Sequence, residues 1–338
     1  MATPRTLPVR FLRAASRSVE LRGYDLDSWL RTLGVDPRLL FDDRSRITID
    51  QASAMIRELW ALTEDELFGL GPRRAPRGTF RMLSLAVLSA PDLGAVLERW
   101  SQFSRVLPGL SEMSLHTSDD AVRVDFVVDA ERDPTHFMVD ISLAVTVRFL
   151  GWLIGRRLLI DRVMLPYPMP EHPQDYEIIF GPNVHFDQPT AAFVLPDTML
   201  SLPTVRDEEA VEQWLRHAPR DLLNSREHDL SVAGQVRHLL ERGLHGEWMG
   251  ADEVARRLAM STQHLRRVLR DEGTSMSNLK EELLRDAAIA SLVRGDESIT
   301  ALSNRLGFSE PSAFYRAFKR WTGNAPGSYR PGSGEADE

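Results

Sequence analysis

Residues 1–225 alternate between helical and strand patterns of hydrophobic and polar positions. Helical patterns cover Val9–Arg22, Leu26–Leu33, Ile49–Leu62, Met82–Leu88, Leu93–Val106 and Ile141–Arg157, the last of which is apolar enough for a buried helix. Alternating or short apolar runs predict strands at Ser114–Thr117, Val122–Val128, Arg162–Leu165, Tyr176–Phe180 and Ala192–Leu195. The first two strands flank Ser118-Asp119-Asp120, which predicts a hairpin. The mixture predicts an α+β domain.

The pattern after residue 230 is helical throughout. Short helices are predicted at Val232–Gly243, Ala251–Leu258, Thr262–Asp271, Met276–Val293, Ile299–Leu306 and Glu310–Thr322, with a final turn at Pro326–Tyr329. The predicted fold is therefore an α+β domain over residues 1–225, followed by an all-α domain over residues 226–330. The acidic residues 331–338 are predicted to form a disordered tail.

The helical third contains an internal repeat. Val254-Ala255, Leu258, Met260, Ser261, Leu265 and Leu269 recur as Leu302-Ser303, Leu306, Phe308, Ser309, Phe314 and Phe318. The offset is 48 residues in the first helix of each unit and 49 in the second. Each unit is predicted to be helix, tight turn, helix, with the serine hydroxyl of Ser261 or Ser309 accepting a hydrogen bond from the start of the second helix. Two helix-turn-helix units are therefore expected.

The second helix of such a unit enters the major groove of DNA. Its outward side chains can contact base edges, since Arg pairs with guanine and Gln with adenine. The base contacts predicted on this ground are Gln263, Arg266, Arg267, Ser312, Tyr315 and Arg316. Phosphates are expected at helix N-termini and on the flanking turn. The phosphate contacts predicted there are Ser261, Thr262, Ser309, Lys319 and Arg320.

Spacing and charge favour the same interpretation. The helix that joins the two units, Met276–Arg294, has 19 residues, or about 28 Å at about 1.5 Å per residue. Successive major grooves on one face of DNA are about 34 Å apart. Residues 231–330 carry thirteen Arg and two Lys against twelve Asp and Glu, a net charge of +3, whereas residues 1–230 carry −8. The basic part is therefore the one expected to meet a polyanion.

The segment Gly307–Gly323, with Pro326 and Tyr329-Arg330 after it, closely resembles the C-terminal signature of AraC/XylS-type transcription regulators. Ser261, Leu265-Arg266-Arg267 and Glu272-Gly273-Thr274-Ser275 fit the first unit of the same family. The resemblance implies a regulator that binds double-stranded promoter DNA. Two positions depart from the family pattern: Ser303-Asn304, where an alanine and a charged residue are usual, and Asn324-Ala325, where an aliphatic residue and threonine are usual.

The N-terminal part is similar to the arabinose-binding-type sensor domain of some of these regulators. Matching stretches are Leu33–Pro37, Gly78–Phe80, Leu88–Gly94, Phe149–Gly155 and Phe180-Gly181 ahead of Phe186. This resemblance implies a small-molecule effector, without identifying a sugar. It also implies a homodimer and contact with RNA polymerase.

Arg148 interrupts an otherwise apolar helix, and a buried guanidinium needs an anionic partner. One hypothesis is that Arg148 binds the carboxylate of a hydrophobic effector. The apolar lining would come from Phe80, Trp100, Phe103, Phe149 and Trp152. The alternatives are an internal salt bridge or an exposed position for Arg148, and an ordinary core for the aromatic residues.

Other functional classes find less support in the sequence. Cysteine is absent and the nine histidines show no ligand spacing, so no metal or cofactor is expected. No catalytic motif is visible, and we expect no enzymatic activity. The sequence shows neither a secretory signal nor a membrane-spanning stretch, so a cytoplasmic protein is expected. Two rival interpretations stay open: an enzyme-like N-terminal domain fused to a DNA-binding tail, and an architectural DNA-binding protein without a ligand.

Overall fold

The computed structural model describes residues 5–71, 73–128, 135–171, 173–181, 183–223, 231–245 and 248–331. The chain packs as two compact units. The first unites Met1–Leu12 and Asp25–Ala52 with Asp229–Glu338, and the second comprises Arg13–Tyr24 and Ser53–His228. The functional division after residue 225 stays a prediction, since these units are defined by packing alone. The predicted disordered tail lies outside the described residues, apart from Pro331.

Nine helices are described before residue 231: α1 (Arg10–Glu20), α2 (Leu26–Thr32), α3 (Ile49–Thr63), α4 (Thr79–Leu88), α5 (Leu93–Ser104), α6 (Phe137–Leu153), α7 (Gln174–Phe180), α8 (Glu208–His217) and α9 (Arg220–Leu223). The strands are β1 (Thr6–Pro8), β2 (Arg46–Thr48), β3 (Met113–Thr117), β4 (Ala121–Phe126), β5 (Arg162–Met164), β6 (Val184–His185) and β7 (Ala191–Pro196). In the part of the chain that the structure describes, no helix is long and apolar enough to span a membrane.

Five of the strands form the sheet of the second unit, in the order β3-β4-β7-β5-β6. All neighbouring pairs are antiparallel except β5 and β6, which are parallel. The predicted hairpin is confirmed, with Met113 opposite Phe126 and Thr117 opposite Val122. The central strand β7 is almost completely buried, as its run of apolar residues requires. The predicted α+β class of the N-terminal part is therefore confirmed.

The prediction of a strand at Tyr176–Phe180 is wrong, because this segment lies in helix α7. Its aromatic and β-branched residues favour a strand in isolation, but that preference depends strongly on packing. In the structure Pro173 accepts the first turn's hydrogen bond from Tyr176 N, and the rings of Tyr176 and Phe180 are both buried. Tertiary contacts have therefore overridden local propensity.

Helix α4 begins three residues before its predicted start at Met82. The side chain of Glu66 accepts hydrogen bonds from Gly78 N (2.6 Å) and Phe80 N (2.8 Å). A carboxylate at this place satisfies N–H groups that have no partner inside the helix. Burial raises the pKa of Glu66 in spite of these bonds. The helix start thus depends on a residue twelve or more positions away.

Of the residues that the structure describes from 231 onward, none lies in a strand, as predicted. They form α10 (Val232–Glu241), α11 (Ala251–Arg257), α12 (Thr262–Asp271), α13 (Met276–Arg294), α14 (Ile299–Arg305) and α15 (Pro311–Thr322). A 3-10 turn follows at Pro326–Tyr329. Strands β1 and β2 were not predicted, and they pair antiparallel with Leu7 opposite Ile47.

Candidate nucleic-acid interface and effector site

The internal repeat is present in the backbone as two similar helix-turn-helix turns. Ala259 and Gly307, one in each turn, have positive φ angles of 55° and 84°. The next residue donates its N–H back to the first helix in both units, from Met260 to Ala255 O (2.9 Å) and from Phe308 to Ser303 O (3.0 Å). Helices α11–α12 and α14–α15 are therefore two copies of one motif.

The predicted small residues lie at the buried part of each motif. Ala255 and Ser303 are both almost fully buried. The hydroxyl of Ser303 has no hydrogen-bond partner among the described residues. An alanine at this position would avoid the cost of burying an unpaired hydroxyl. The departure from the family pattern at Ser303 therefore affects the buried side of the motif. The neighbouring Asn304 is exposed.

The two motifs differ in how the second helix begins. Ser261 caps α12 by accepting a hydrogen bond from His264 N at 3.2 Å, as predicted. The corresponding prediction for Ser309 is wrong, because the N-cap of α15 is Glu310 and no side-chain cap bond is made there. Pro311 occupies the first turn of α15, where its missing N–H costs nothing. This additional residue accounts for the change of offset from 48 to 49.

Helix α12 has one buried face and one charged face. Leu265 and Leu269 are buried against the rest of the unit. The outward side chains, all exposed, are Gln263, Arg266, Arg267 and Arg270. The structure therefore places the three predicted base-contacting residues of this helix together on its solvent side.

Helix α15 repeats this arrangement around an aromatic core. Phe314 and Phe318 are fully buried with ring centroids 5.7 Å apart, and Phe308 and Tyr329 pack against them edge to face. The outward residues, again all exposed, are Ser312, Tyr315, Arg316, Lys319 and Arg320. The aromatic cluster thus fixes which face of α15 is available to a ligand.

Several of the predicted contact residues are engaged with neighbouring side chains. Arg267 Nη2 lies 3.1 Å from His264 Nδ1 on the exposed face of α12. Arg320 donates to Glu281 of α13 at 3.1 Å, an exposed pair of little strength. Two hydroxyls donate to nearby carboxylates, Thr262 to Asp252 (2.7 Å) and Ser312 to Glu310 (3.1 Å). These exposed contacts can exchange for contacts to DNA at small cost.

The first motif is tied to helix α10 by Glu272, which directly follows α12. Its carboxylate accepts from Val232 N (3.1 Å) and Ala233 N (2.7 Å) at the start of α10. A negative charge here satisfies free N–H groups and complements the helix dipole. The sequence marked Glu272 only as part of a family motif, and the structure shows its role.

In the second unit, Arg148 lies on α6 in a largely desolvated environment. Its Nη1 donates to the carbonyl oxygen of Leu222 at 2.7 Å. Burial lowers the pKa of Arg148 to about 10. Among the described residues, Arg148 has no carboxylate within ion-pair distance. Among the described residues, the hydrogen-bond partner of this guanidinium is thus a neutral carbonyl oxygen.

Four of the predicted effector-site aromatics pack together. Phe149 is fully buried, and its ring centroid lies between 5.2 and 5.7 Å from those of Phe80, Trp100 and Trp152. Phe103 is half-buried and makes no ring contact with this cluster among the described residues. Arg206, which the sequence did not single out, lies 5.1 Å above the Trp152 ring.

Trp214 of α8 completes the aromatic cluster and was missed by the sequence analysis. Its ring lies 5.4 Å from Trp152, 5.5 Å from Phe149 and 5.8 Å from Phe80. The amphipathic pattern of residues 208–217 could have indicated its buried side. Only the tertiary structure, however, brings α8 next to α4 and α6.

A second buried polar group lies at the start of α6. The hydroxyl groups of Tyr167 and Tyr176 both donate to the carboxylate of Asp140, the latter at 3.1 Å. Burial raises the pKa of Tyr167, so this phenol remains a donor at neutral pH. The ring of His136 stacks on Tyr167 at 4.1 Å. This network anchors the first turn of α6 to the segments that carry the two tyrosines.

Comparison with protein families gives two matches that follow the two parts of the chain. Residues 23–204 match the arabinose-binding domain of AraC transcription regulators, and residues 254–332 match a helix-turn-helix domain. The second match contains both motifs described above.

Relatives that match along most of their length are also named as regulators. The ornithine utilization regulator of Pseudomonas aeruginosa is 26% identical, over 97% of both chains. An uncharacterised helix-turn-helix-type regulator of Mycobacterium tuberculosis is 28% identical, over 95% of both chains. Among solved structures, the transcriptional regulator CdpR from Pseudomonas aeruginosa is 22% identical, with a TM-score of 0.33 and coverage of 95% of this chain and 98% of that chain. The arabinose-binding match, which covers more than half of the chain, together with the helix-turn-helix match, shows that the chain belongs to the AraC-type DNA-binding transcription regulators that carry the arabinose-binding-type N-terminal domain.

Proposed function

We propose that this regulator reads promoter DNA with α12 and α15 and responds to a hydrophobic carboxylic acid. The observation that carries the DNA part is the pair of exposed, arginine-bearing faces on two copies of one motif. Helix α13 joins the copies, and the length of its 19 residues, about 28 Å, is close to the roughly 34 Å between successive major grooves. Two adjacent major grooves are therefore within reach of one chain.

Base contacts and phosphate contacts are assigned by position. Gln263, Arg266 and Arg267 on α12, and Ser312, Tyr315 and Arg316 on α15, project from exposed faces at the beginning or middle of their helices. Lys319 and Arg320 lie near the end of α15, and Ser261, Thr262 and Ser309 lie at or before helix starts. Free N–H groups at a helix start favour phosphate.

Replacing Arg267 by alanine is expected to weaken binding to the preferred duplex by about 1–3 kcal/mol and to relax the preference at one or two bases. The reason is that a bidentate contact to a guanine is lost. Replacing Lys319 should instead weaken binding to all sequences about equally and reduce the salt slope by about one contact. Both variants would be measured by fluorescence anisotropy over a salt series. A parallel loss of specific and nonspecific affinity in the Arg267 variant would contradict its role in base recognition.

The effector proposal rests on Arg148. A desolvated guanidinium with a neutral acceptor and no described carboxylate partner favours an anion. The aromatic cluster of Phe80, Trp100, Phe149, Trp152 and Trp214 belongs to the same unit and carries apolar surface. A sugar would require several Asp, Asn or Gln side chains to satisfy its hydroxyls. In a hydrophobic acid, the carboxylate would pair with Arg148 and the apolar part would pack on the aromatic side chains.

Replacing Arg148 by methionine is expected to reduce the rise in Tm that a hydrophobic acid causes in the full-length chain. Decanoate and phenylacetate are suitable probes, with decanol as an uncharged match and ornithine as a test suggested by the relative's name. The Arg162→Met variant, which changes an exposed arginine of the same unit, is the matched control. Equal shifts in wild type and Arg148→Met would return Arg148 to a structural role, and stabilisation by sugars alone would contradict the acid class.

The effector must also change DNA binding. A ligand shifts affinity for DNA only by the difference between its own affinities for the two states of the protein. We propose that the protein acts as a homodimer, which would present four helix-turn-helix motifs, and that it contacts RNA polymerase. Both assignments are part of the proposal.

A further inference from the structure

Strands β1 and β2 belong to the same compact unit as the two DNA-binding motifs, although about two hundred residues separate them in sequence. Both strands contact helix α13, the helix that joins the motifs. Neither the family motifs nor the charge pattern indicated this arrangement. The contacts of β1 and β2 with α13, which we call the junction, include buried polar and charged side chains.

The contact with α13 is a buried group of hydrogen-bonded charges. Thr6 donates to the carboxylate of Asp286 at 2.6 Å, and Arg46 Nε donates to the same threonine hydroxyl at 2.8 Å. Arg46 Nη2 also donates to Thr6 O at 3.1 Å. Burial opposes the charge on Asp286, but Arg285, Arg46 and the Thr6 hydroxyl together keep the pKa of this carboxyl below its ordinary value. The junction is therefore ionised at neutral pH.

The same segment also contacts the end of the second motif. Arg46 N donates to the hydroxyl of the buried Tyr329 at 3.3 Å. Asn324 Nδ2 donates to Ser45 Oγ at 2.9 Å, so the departure from the family pattern at residue 324 serves this contact. A Cβ atom on Gly323 would lie 1.9 Å from the carboxylate of Asp42. The segment around β2 thus contacts both α13 and the turn that follows α15.

Such a junction has a strict geometric requirement. Buried charges are compensated for their desolvation only when their hydrogen bonds are made, and here Arg46 and Asp286 are linked through the Thr6 hydroxyl. A small displacement of α13 relative to β1 would break the bond from Thr6 to Asp286, and a displacement of the turn relative to β2 would break the bond from Arg46 to Tyr329. The position of α15 relative to α13 determines where its exposed face meets the second major groove.

We propose that Thr6, Arg46 and Asp286 are positioning residues for DNA recognition, which hold the second helix-turn-helix motif in register with the first. They do so without touching DNA. Strand β1 is followed after one residue by α1, and β2 runs directly into α3. The DNA-binding unit is therefore discontinuous in sequence, and its register depends on residues near the N-terminus. This inference rests on the proposed reading of DNA by α12 and α15, and it does not involve the proposed effector.

The test uses the full-length chain and the tightest duplex that the wild type selects from a randomised library. The base pairs assigned to α12 and those assigned to α15 form the two halves of the site that one chain contacts. The halves are scrambled one at a time, and a further duplex carries one extra base pair between them. In the wild type, we expect scrambling either half to lower affinity by about tenfold or more. The extra base pair rotates one half relative to the other by about 34° and should be similarly costly.

In Arg46→Met, we expect scrambling one of the two halves, or inserting the base pair, to change affinity by less than about threefold. Scrambling the other half should cost as much as in the wild type. Thr6→Val, which removes one hydroxyl and keeps the shape, should show the same loss to a smaller degree and serves if Arg46→Met does not fold. Arg38→Met changes an exposed arginine eight residues away that pairs with Asp36, and it should behave as wild type.

Two results would overturn the proposal. One is a Thr6→Val or Arg46→Met protein that keeps the full wild-type dependence on both halves and on spacing. The other is a loss of affinity that falls equally on both halves and follows the loss of Tm, which is what a purely structural role predicts. If the wild type itself shows no second half-site, the assignment of α15 to base reading fails as well.

Discussion

Replacing Phe318 by alanine is expected to lower the free energy of unfolding of the DNA-binding unit by about 3–5 kcal/mol. The ring is fully buried and lies 5.7 Å from Phe314 and 5.2 Å from Tyr329. Its removal costs the transfer energy of the ring and leaves a cavity that close neighbours fill only in part. Because whole domains are stable by only about 5–15 kcal/mol, the variant should unfold, and lose DNA binding by α15, at a much lower temperature than the wild type.

The measurement is chemical unfolding followed by circular dichroism, with the adjacent Lys319→Ala as a matched control. Lys319 is exposed, and its replacement should change the free energy of unfolding by less than about 0.5 kcal/mol. Of the two variants, only Phe318→Ala should lose stability, and Lys319→Ala should lose affinity for all DNA sequences. A Phe318→Ala protein as stable as the wild type would show that the aromatic cluster does not form the core of this motif.

The second large effect is expected from Phe149→Ala in the second unit, where the free energy of unfolding should again fall by about 3–5 kcal/mol. Phe149 is fully buried and has four aromatic neighbours, Phe80, Trp100, Trp152 and Trp214. Phe80 and Trp100 meet this ring edge to face, and such aromatic pairs add about 0.5–1.5 kcal/mol beyond the burial of apolar area. The ring therefore contributes more to the free energy of unfolding than the burial of its own surface would predict.

Thermal unfolding monitored by tryptophan fluorescence would measure this loss, since three of the neighbours are tryptophans. Met82→Ala, on α4 beside Phe80, removes an exposed side chain and is the control. If Phe149→Ala lowered the Tm and a hydrophobic acid restored it, the space left by the ring would be a site that the acid can fill. A large loss that no ligand restores would identify it as core.

Local patterns were sufficient where contacts are local. The bounds of α12 and α13 agree with the prediction, and both motifs follow the repeat. In these helices the periodicity, the capping serine and the turn residue all lie within a few positions of each other. The sequence could therefore determine two helix-turn-helix motifs, their exposed faces and the helix between them.

Long-range contacts account for what the sequence could not determine. Residues Tyr176–Phe180 have strand propensity, yet packing of their aromatic rings makes them helical. Helix α4 starts early because Glu66 caps it from a distant loop. Ser309 does not cap α15, because one inserted proline moves the helix start. In each case a competing interaction is stronger than the local preference.

The sequence by itself determined the family, the α+β and all-α parts, and the residues that α12 and α15 present to solvent. Only the tertiary structure decided that Thr6 and Arg46 join Asp286, and that Trp214 joins Phe149. The physical reason is that side-chain periodicity records which face of an element is buried. It does not record which other element covers that face, because this depends on the packing of the whole chain.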